Sequence, residues 1–409
     1  MENLSSVLIV ATMDTKGKEV LYIQSCFKEF GIPVLILDAG IMEKSPFPVT
    51  IPREQVALSG GMTLSEVQAL GHEGKALAVM MAGAVRCARD LYQQGRIHGI
   101  IGLGGSMGTT LGSGVMRAFP IGFPKVMIST MASRNTRTFV GTKDILMLYS
   151  VCDLSGINRI TRKILRNGAF ALAGMVRDSP DDVPPMKPLI VLSTLGTTET
   201  CAVRVRENLE KSGKEVVVFH TVGSGGEAME EMIAEEEVEA VVDLSLHELA
   251  DHLFGGDYDA GPDRGSTALK KGIPTILVPG NTDFLVAGPL KVAEQRFPKR
   301  IYHVHNEAIT VIRTNQREVE AIALTLAQRC NEARGPLAII VPLGGFSAFD
   351  RQGGPFWNPE ASKLFTETLK KNLQSRIQLH LLPNHINDPE FSEFLLKALD
   401  HLLRQKGEY

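Results

Sequence analysis

No CxxC pair occurs in this chain of 409 residues. Its five cysteines (Cys26, Cys87, Cys152, Cys201, Cys330) are scattered and odd in number. That argues against a disulfide scaffold or a Cys-rich zinc framework, and for a reducing compartment. Long runs of one charge are missing as well. With 43 basic against 46 acidic residues the net charge is −3, so a dedicated nucleic-acid binder is not expected. The N-terminus lacks a signal-peptide pattern: the apolar run Val7 to Val10 is too short, and no charged flank or small-residue cleavage site surrounds it. The longest uncharged stretch, Ile97 to Met116, is broken by seven glycines, which suits a strand, a turn and a helix better than a membrane span. The expectation is a cytoplasmic protein without membrane contact.

What is present is an ordinary globular composition, 44% hydrophobic and 22% charged, with chain enough for two or three domains. SSVLIVAT (5–12), IPVLILDAG (32–40), HGIIGLGG (98–105), PKVMIST (124–130), KPLIVLST (187–194), EVVVFHT (215–221), EAVVDLS (239–245), IPTILVPG (273–280) and LAIIVPLGG (337–345) read as strands. Helical patterns separate them, the first from Lys18 to Phe30. Fully apolar strands followed by helices imply parallel sheets covered on both faces. The expected class is α/β, with two Rossmann-like, doubly wound parallel-sheet subdomains.

The halves also echo each other. VLIVATMDTKGKE matches PLIVLSTLGTTET, and IHGIIGLGGSMGT matches VEAVVDLSLHELAD. GFPKVMISTMAS matches GIPTILVPGNTD, and the strand and helix from DILMLYSV match those from EAITVIRT. Matches in the same order point to an internal duplication. Its boundary falls in RDSPDDVPPMKP (177–188), where prolines among acidic residues suit an exposed linker between domains 1–180 and 188–409.

Open α/β sheets bind ligands at the carboxyl ends of their strands, and the candidate residues lie in loops of that kind. ATMDTKGKE (11–19) ends a strand and opens a helix, whose free N–H groups and positive dipole end attract anions. Thr12, Thr15 and Lys16 add hydroxyl and ammonium donors, and Asp14 can meet a ribose, a metal or a lysine. A capped helix with solvated lysines is the plainer reading. GLGGSMGTTLGSG (102–114) has the same context. Gly104, Gly105 and Gly108 let backbone approach an anion, while Ser106, Thr109 and Thr110 supply hydroxyls. The loop lacks the GK[ST] ending of a Walker A motif and the spacing of the dinucleotide fingerprint. Tight helix–strand packing accounts for the same glycines. Ser129 and Thr130 end another strand, and Asp153 follows the next.

The second half is rich in polar strand ends. DLSLHELADHLFGG (243–256) resembles a zinc-protease HExxH, but His247 and His252 stand five apart, about 140° round a helix, and do not share a face. His247, Asp263, Asp283, His385 and Asp388 together point to a site for a polar substrate, although any one histidine is more often structural. Ser347 in GGFSAF has the setting of a nucleophile elbow without its second glycine, since residue 349 is phenylalanine.

Together, ATMDTKGKE, GLGGSMGT, STMAS with GTKDI, HELAD with AGPDR, and NHINDPEF resemble the family that includes the N-terminal region of the tomato mosaic virus resistance protein. The likeness runs from Leu8 to Leu403. It implies a dimeric ATP-binding protein with ATP in the first subdomain, and Mg²⁺ would accompany the ATP. The phosphates are then expected on Gly104, Gly105, Ser106 and Gly108, with Thr109 and Thr110 beside them. Lys16 supplies charge, and Thr12, Asp14, Thr15, Ser129, Thr130 and Asp153 complete the pocket. A small polar substrate is expected between the subdomains, bound by Asp263, Arg264 and Asp283. His247 and His385 are the acid–base candidates there, because an unperturbed imidazole titrates near neutral pH. A metabolic enzyme or enzyme subunit is the leading expectation. A non-catalytic nucleotide-binding module that regulates or scaffolds a partner is the alternative, and a sugar- or nucleotide-sugar-handling enzyme the third. The plant protein carries a further TIM-barrel region, so a separately encoded barrel protein is an expected partner.

Overall fold

In a computed structural model, residues 5–177 and 187–405 are described. The segment expected to act as a linker lies outside them, apart from Arg177, Lys187 and Pro188. The chain divides into two compact units, Met1–Val183 and Pro184–Tyr409.

The first unit is built on β1 (Val7–Ala11), β2 (Val34–Asp38), β3 (Gly99–Gly104), β4 (Lys125–Ser129) and β5 (Leu146–Tyr149). All neighbours run parallel, in the order β2-β1-β3-β4-β5. Successive side chains of a strand point to opposite faces, and both faces here are apolar. Val7, Ile9, Ile101 and Ile128 pack with Ile23, Phe27, Leu165 and Leu172 from helices Met13–Glu29 and Arg159–Arg177. Leu8, Val10, Ile100 and Met127 pack with Met80, Ala84, Leu111 and Val115 from helices Glu73–Gln93 and Ser106–Met116. Each large aliphatic side chain so buried contributes about 1.5–3 kcal/mol relative to exposure. Cover on both faces is why these strands are apolar throughout instead of alternating. The first helix begins at Met13, earlier than expected, because Thr12 already has the extended backbone of an N-cap.

The second unit has nine described strands: β6 (Leu189–Thr194), β7 (Glu215–His220), β8 (Ala240–Asp243), β9 (Thr275–Leu277), β10 (Phe284–Ala287), β11 (Tyr302–Asn306), β12 (Ile309–Arg313), β13 (Leu337–Pro342) and β14 (Gln378–Leu382). Six form a parallel sheet in the order β14-β13-β9-β8-β6-β7. Ile190, Leu192, Val242 and Ile340 pack on one face with Val205, Leu395 and Leu399. Val191 and Val241 pack on the other with Met229 and Ile233, and Ile339 and Val341 with Ile322 and Phe365. The fold is therefore α/β with two doubly wound, Rossmann-like parallel sheets.

The strand orders β2-β1-β3-β4 and β7-β6-β8-β9 correspond, as a repeat requires. The correspondence ends there. The match of EAITVIRT to the β5 segment fails, because β12 pairs antiparallel with β10 and β11 in a separate three-stranded sheet. β13 takes the place beside β9 instead. A short apolar run does not encode the direction of its partner, so the sequence pattern of β5 and β12 is alike while their pairing differs. Among the described residues, no helix is long and apolar enough to cross a membrane.

Candidate functional site at the β1/β3 switch point

The chain leaves β1 toward one edge of the five-stranded sheet and β3 toward the other, which puts the topological switch point between them. Val10 and Gly102 are register partners there, so Thr12 and Gly104 leave the sheet side by side. Two helices start at this place, Met13–Glu29 and Ser106–Met116, and neither has a cap bond from its own N-cap side chain. The first N–H groups of a helix have no partner within it. Those of Ser106, Met107 and Gly108 thus remain as donors at the positive end of the helix dipole.

The three candidate glycines differ in what requires them. A Cβ on Gly104 would lie 2.8 Å from the Gly108 Cα, and one on Gly108 would lie 3.0 Å from the Leu103 carbonyl oxygen. Those two residues are fixed by the turn's own packing. A Cβ on Gly105 would meet no closer atom than Thr130 Oγ1, at 3.8 Å. The space over Gly105 is open, which is what an anion cradle needs.

The hydroxyls sort in the same way. Ser106 is exposed, and Thr12, Thr110 and Thr130 are half-buried around the two helix starts. Thr12 and Thr15 share a hydroxyl–hydroxyl bond of 2.8 Å, and Thr110 donates to the Ser106 carbonyl. Thr109 and Ser129 are fully buried. The two hydroxyls bond each other at 2.6 Å, and Thr109 donates to the Gly105 carbonyl while Ser129 accepts the Met131 N–H. These bonds tie β4 to the cradle helix.

Lys16 donates to the Leu154 carbonyl at 2.5 Å, and Glu19 accepts the Gly156 N–H at 2.6 Å. Both bonds hold the loop after β5, and with it the exposed Asp153, against the first helix. Sequence reasoning missed Asp38. It ends β2, is buried, and accepts the N–H groups of Met13 and Gly40 at 3.0 and 2.8 Å. Burial pushes its pKa up, and the two N–H bonds work against that push. An acidic residue closing an otherwise apolar strand was the available signal.

Beside the switch point lies a cavity of about 460 Å³, lined by Thr12, Asp14 and Thr15 of the first helix start and by Met107 of the cradle helix, among others. One carboxylate oxygen of Asp14 accepts the Met42 N–H at 3.1 Å. The other, Oδ1, is shielded from solvent and has no partner among the described residues.

In the second unit the corresponding turn, after β8, is closed. Leu244 to Asp251 are all buried. Arg264, expected to bind substrate, is itself fully buried and bonds Asp243 through both carboxylate oxygens, Glu248 at 2.6 Å and the Ser245 carbonyl at 2.8 Å. Burial opposes its charge, but Asp243, Glu248 and Glu230 more than offset this and its pKa is raised. Glu248 also accepts the N–H groups of Gly223 and Gly226, which fills the start of helix Ser224–Glu235 with an internal anion. Asp263 lies on the surface with Lys270.

Both candidate histidines are buried. His247 is fully buried, and burial, then the charges of Arg264 and His220, press its pKa down to about 3. His385 has both ring nitrogens engaged, Nε2 with the Ser347 carbonyl at 2.8 Å and Nδ1 with the Asn387 N–H at 3.1 Å. Asp388 Oδ2 accepts the backbone N–H of His385. Ser347 is buried and donates to Asp283, whose pKa burial raises to about 7, with Asp350 adding to the rise. These groups form an interior polar lattice rather than a site open to substrate.

Residues 5–181 match the N-terminal domain, and residues 187–403 the C-terminal domain, described as "Uncharacterised protein family (UPF0261)". The chain belongs to the UPF0261 family. It is 37% identical to a UPF0261 protein of Clostridium tetani, over 98% of this chain and 99% of that one. A UPF0261 protein of Rhizobium meliloti is 33% identical over 97% and 98%. The ToMV resistance protein Tm-1 of Solanum lycopersicum is 36% identical over 80% of this chain but 44% of its own length. The resemblance carried by the loop motifs therefore holds over both units of this UPF0261 chain. Among its described residues, no group of three or more His, Cys, Asp or Glu side chains is placed to hold a metal ion. Mg²⁺ bound with a nucleotide needs no such cage, because phosphates, waters and one or two carboxylates suffice. Asp14 lies in the first turn of helix Met13–Glu29, and the exposed Asp153 lies in the loop that Lys16 holds against that helix.

Proposed function

We propose that this chain is a nucleotide-binding protein that takes ATP, with Mg²⁺, at the β1/β3 switch point. The observation that carries the reading is the open space over Gly105 at the uncapped start of helix Ser106–Met116. Free N–H groups and a helix dipole recruit phosphate at such a place. Lys16, with one of its three N–H donors on Leu154, adds positive charge at the neighbouring helix start. Mg²⁺ would neutralise phosphate charge there, with the exposed Asp153 as its protein ligand.

The binding-module reading is favoured over the enzyme reading by the state of His247 and His385. One is locked neutral in the interior, and the other has no free ring nitrogen. The proposed activity is therefore nucleotide binding that regulates or scaffolds a partner. Titration calorimetry with Mg²⁺ and ATP tests both parts, followed by an overnight assay of the same sample for ADP. Binding without ADP is expected. No binding overturns the nucleotide site, and steady ADP formation overturns the module.

A further inference from the structure

We infer that the 460 Å³ cavity beside the cradle holds the planar base of the bound nucleotide, and that Asp14 accepts a hydrogen bond from the nucleoside. This rests on the nucleotide reading above and adds to it where the part of the ligand beyond the phosphates lies.

Three observations converge. The first is position. Thr12 and Thr15, at one helix start, and Met107, in the first turn of the cradle helix, are all walls of the cavity. A ligand with its phosphates on Ser106, Met107 and Gly108 therefore has this cavity beside it. Its volume falls within the range of about 300–1,000 Å³ typical of small-molecule sites.

The second is the chemistry of the walls. Ile41, Met42, Val67, Leu77 and Met107 line the cavity. Met42 is 78% exposed and Met107 is 40% exposed, so two large apolar side chains stand in water at its margin. Thioether side chains adapt to, and attract, the faces and edges of aromatic rings. Phosphate gains nothing from such walls, whereas a heteroaromatic base buries both its faces in them.

The third is Asp14. Its Oδ2 is bonded to the Met42 N–H, while its Oδ1 is shielded and unpartnered among the described residues. A buried acceptor without a donor is costly. A carboxylate repels phosphate, so the missing group is a donor, either a ribose hydroxyl or a ring amine. Mainly apolar walls, with Asp14, Gln68, His72 and Glu73 supplying polar groups among them, match a nucleoside and mismatch a simple anion. A wider groove, about 660 Å³, lies on helices Gln316–Asn331 and Pro359–Asn372 of the second unit. It is lined mainly by the surfaces of these two helices.

The test compares ATP with inorganic tripolyphosphate, both with Mg²⁺, on the full chain by calorimetry. The wild-type chain is expected to bind ATP at least about tenfold more tightly. Leu77→Trp, which fills the cavity, should weaken ATP by more than about tenfold and leave tripolyphosphate within about twofold. Asp14→Ala should narrow the preference in the same direction. Met107→Ala, at an exposed helix position, supplies a variant with little risk to folding and should also weaken ATP selectively. Equal affinity for ATP and tripolyphosphate in the wild type overturns the base pocket and leaves the phosphate cradle standing. So does a Leu77→Trp chain, folded by circular dichroism, that binds ATP normally. Failure of the wild type to bind either ligand overturns the cradle and the pocket together.

Discussion

Arg264 grips Asp243 through both carboxylate oxygens, at 2.5 and 2.8 Å, and solvent reaches neither side chain. Glu248 shares the same guanidinium. A buried pair adds little over a well-packed apolar substitute, but removing one partner strands the other charge. Arg264→Met should therefore destabilise the second unit by about 3–5 kcal/mol. Urea unfolding measures this directly. A loss under about 1 kcal/mol would mean the carboxylates find another counter-charge or take up protons cheaply.

His247 makes a pH prediction with a definite sign. Its pKa is about 3 in the folded chain, against about 6.5 when unfolded. Between these values the unfolded chain binds the extra proton, so the contribution of this group is complete above pH 6.5 and declines as pH falls. The full effect of one such proton is about 1.4 kcal/mol per pH unit. His247→Gln should flatten the fall of the urea midpoint between pH 6.5 and 4.5 by up to that slope. Parallel curves for the two proteins would show that His247 titrates while folded.

Gly105→Val probes the cradle without disturbing the turn. The new Cβ meets nothing nearer than 3.8 Å, so the melting temperature should stay within a few degrees of wild type. The branched side chain projects into the space assigned to phosphate, and affinity for both ATP and tripolyphosphate should fall at least about tenfold. Gly104→Val is the contrast, because its Cβ would lie 2.8 Å from Gly108 and the fold itself should suffer. Unchanged binding by folded Gly105→Val places the anion elsewhere.

Stoichiometry is the fourth prediction. The second unit repeats the strand order but not the open turn: Leu244 to Asp251 are buried, and Glu248 occupies the start of helix Ser224–Glu235. One nucleotide per chain is expected from calorimetry. A value of two would require an entry route to the β8 turn.

The parts legible in sequence were those set by local pattern. Runs such as VLIVA and LAIIVP announced buried parallel strands because cover on both faces removes alternation. The Gly-rich loop after β3 announced a turn into a helix. What stayed hidden depended on partners far along the chain. Gly104, Gly105 and Gly108 look alike in sequence, and the space over each separates them. Thr109 looks like a donor until Ser129, on the next strand, takes its hydroxyl. Arg264 and His247 carry the residue types of a site, and burial among Asp243, Glu248 and Ser245 makes them interior struts. Direction was equally invisible for β12, whose apolar run fits an antiparallel neighbour as well as a parallel one.

The seam between β1 and β3 also bears on how the first unit assembles. Val7 pairs with Val34 on one side and with Gly99 on the other. The first pairing closes a short stretch of chain, while the second must wait for a far longer one, and loops that are long to close slow folding. Thr12 and Gly104 therefore meet late, across the strand pairing of β1 with the greater sequence separation. A nucleotide seated there would act as a clasp on that seam. Because it binds the closed sheet and not the open chain, its free energy of binding adds to the free energy of folding. Amide exchange in β1 and β3 should slow together when it binds.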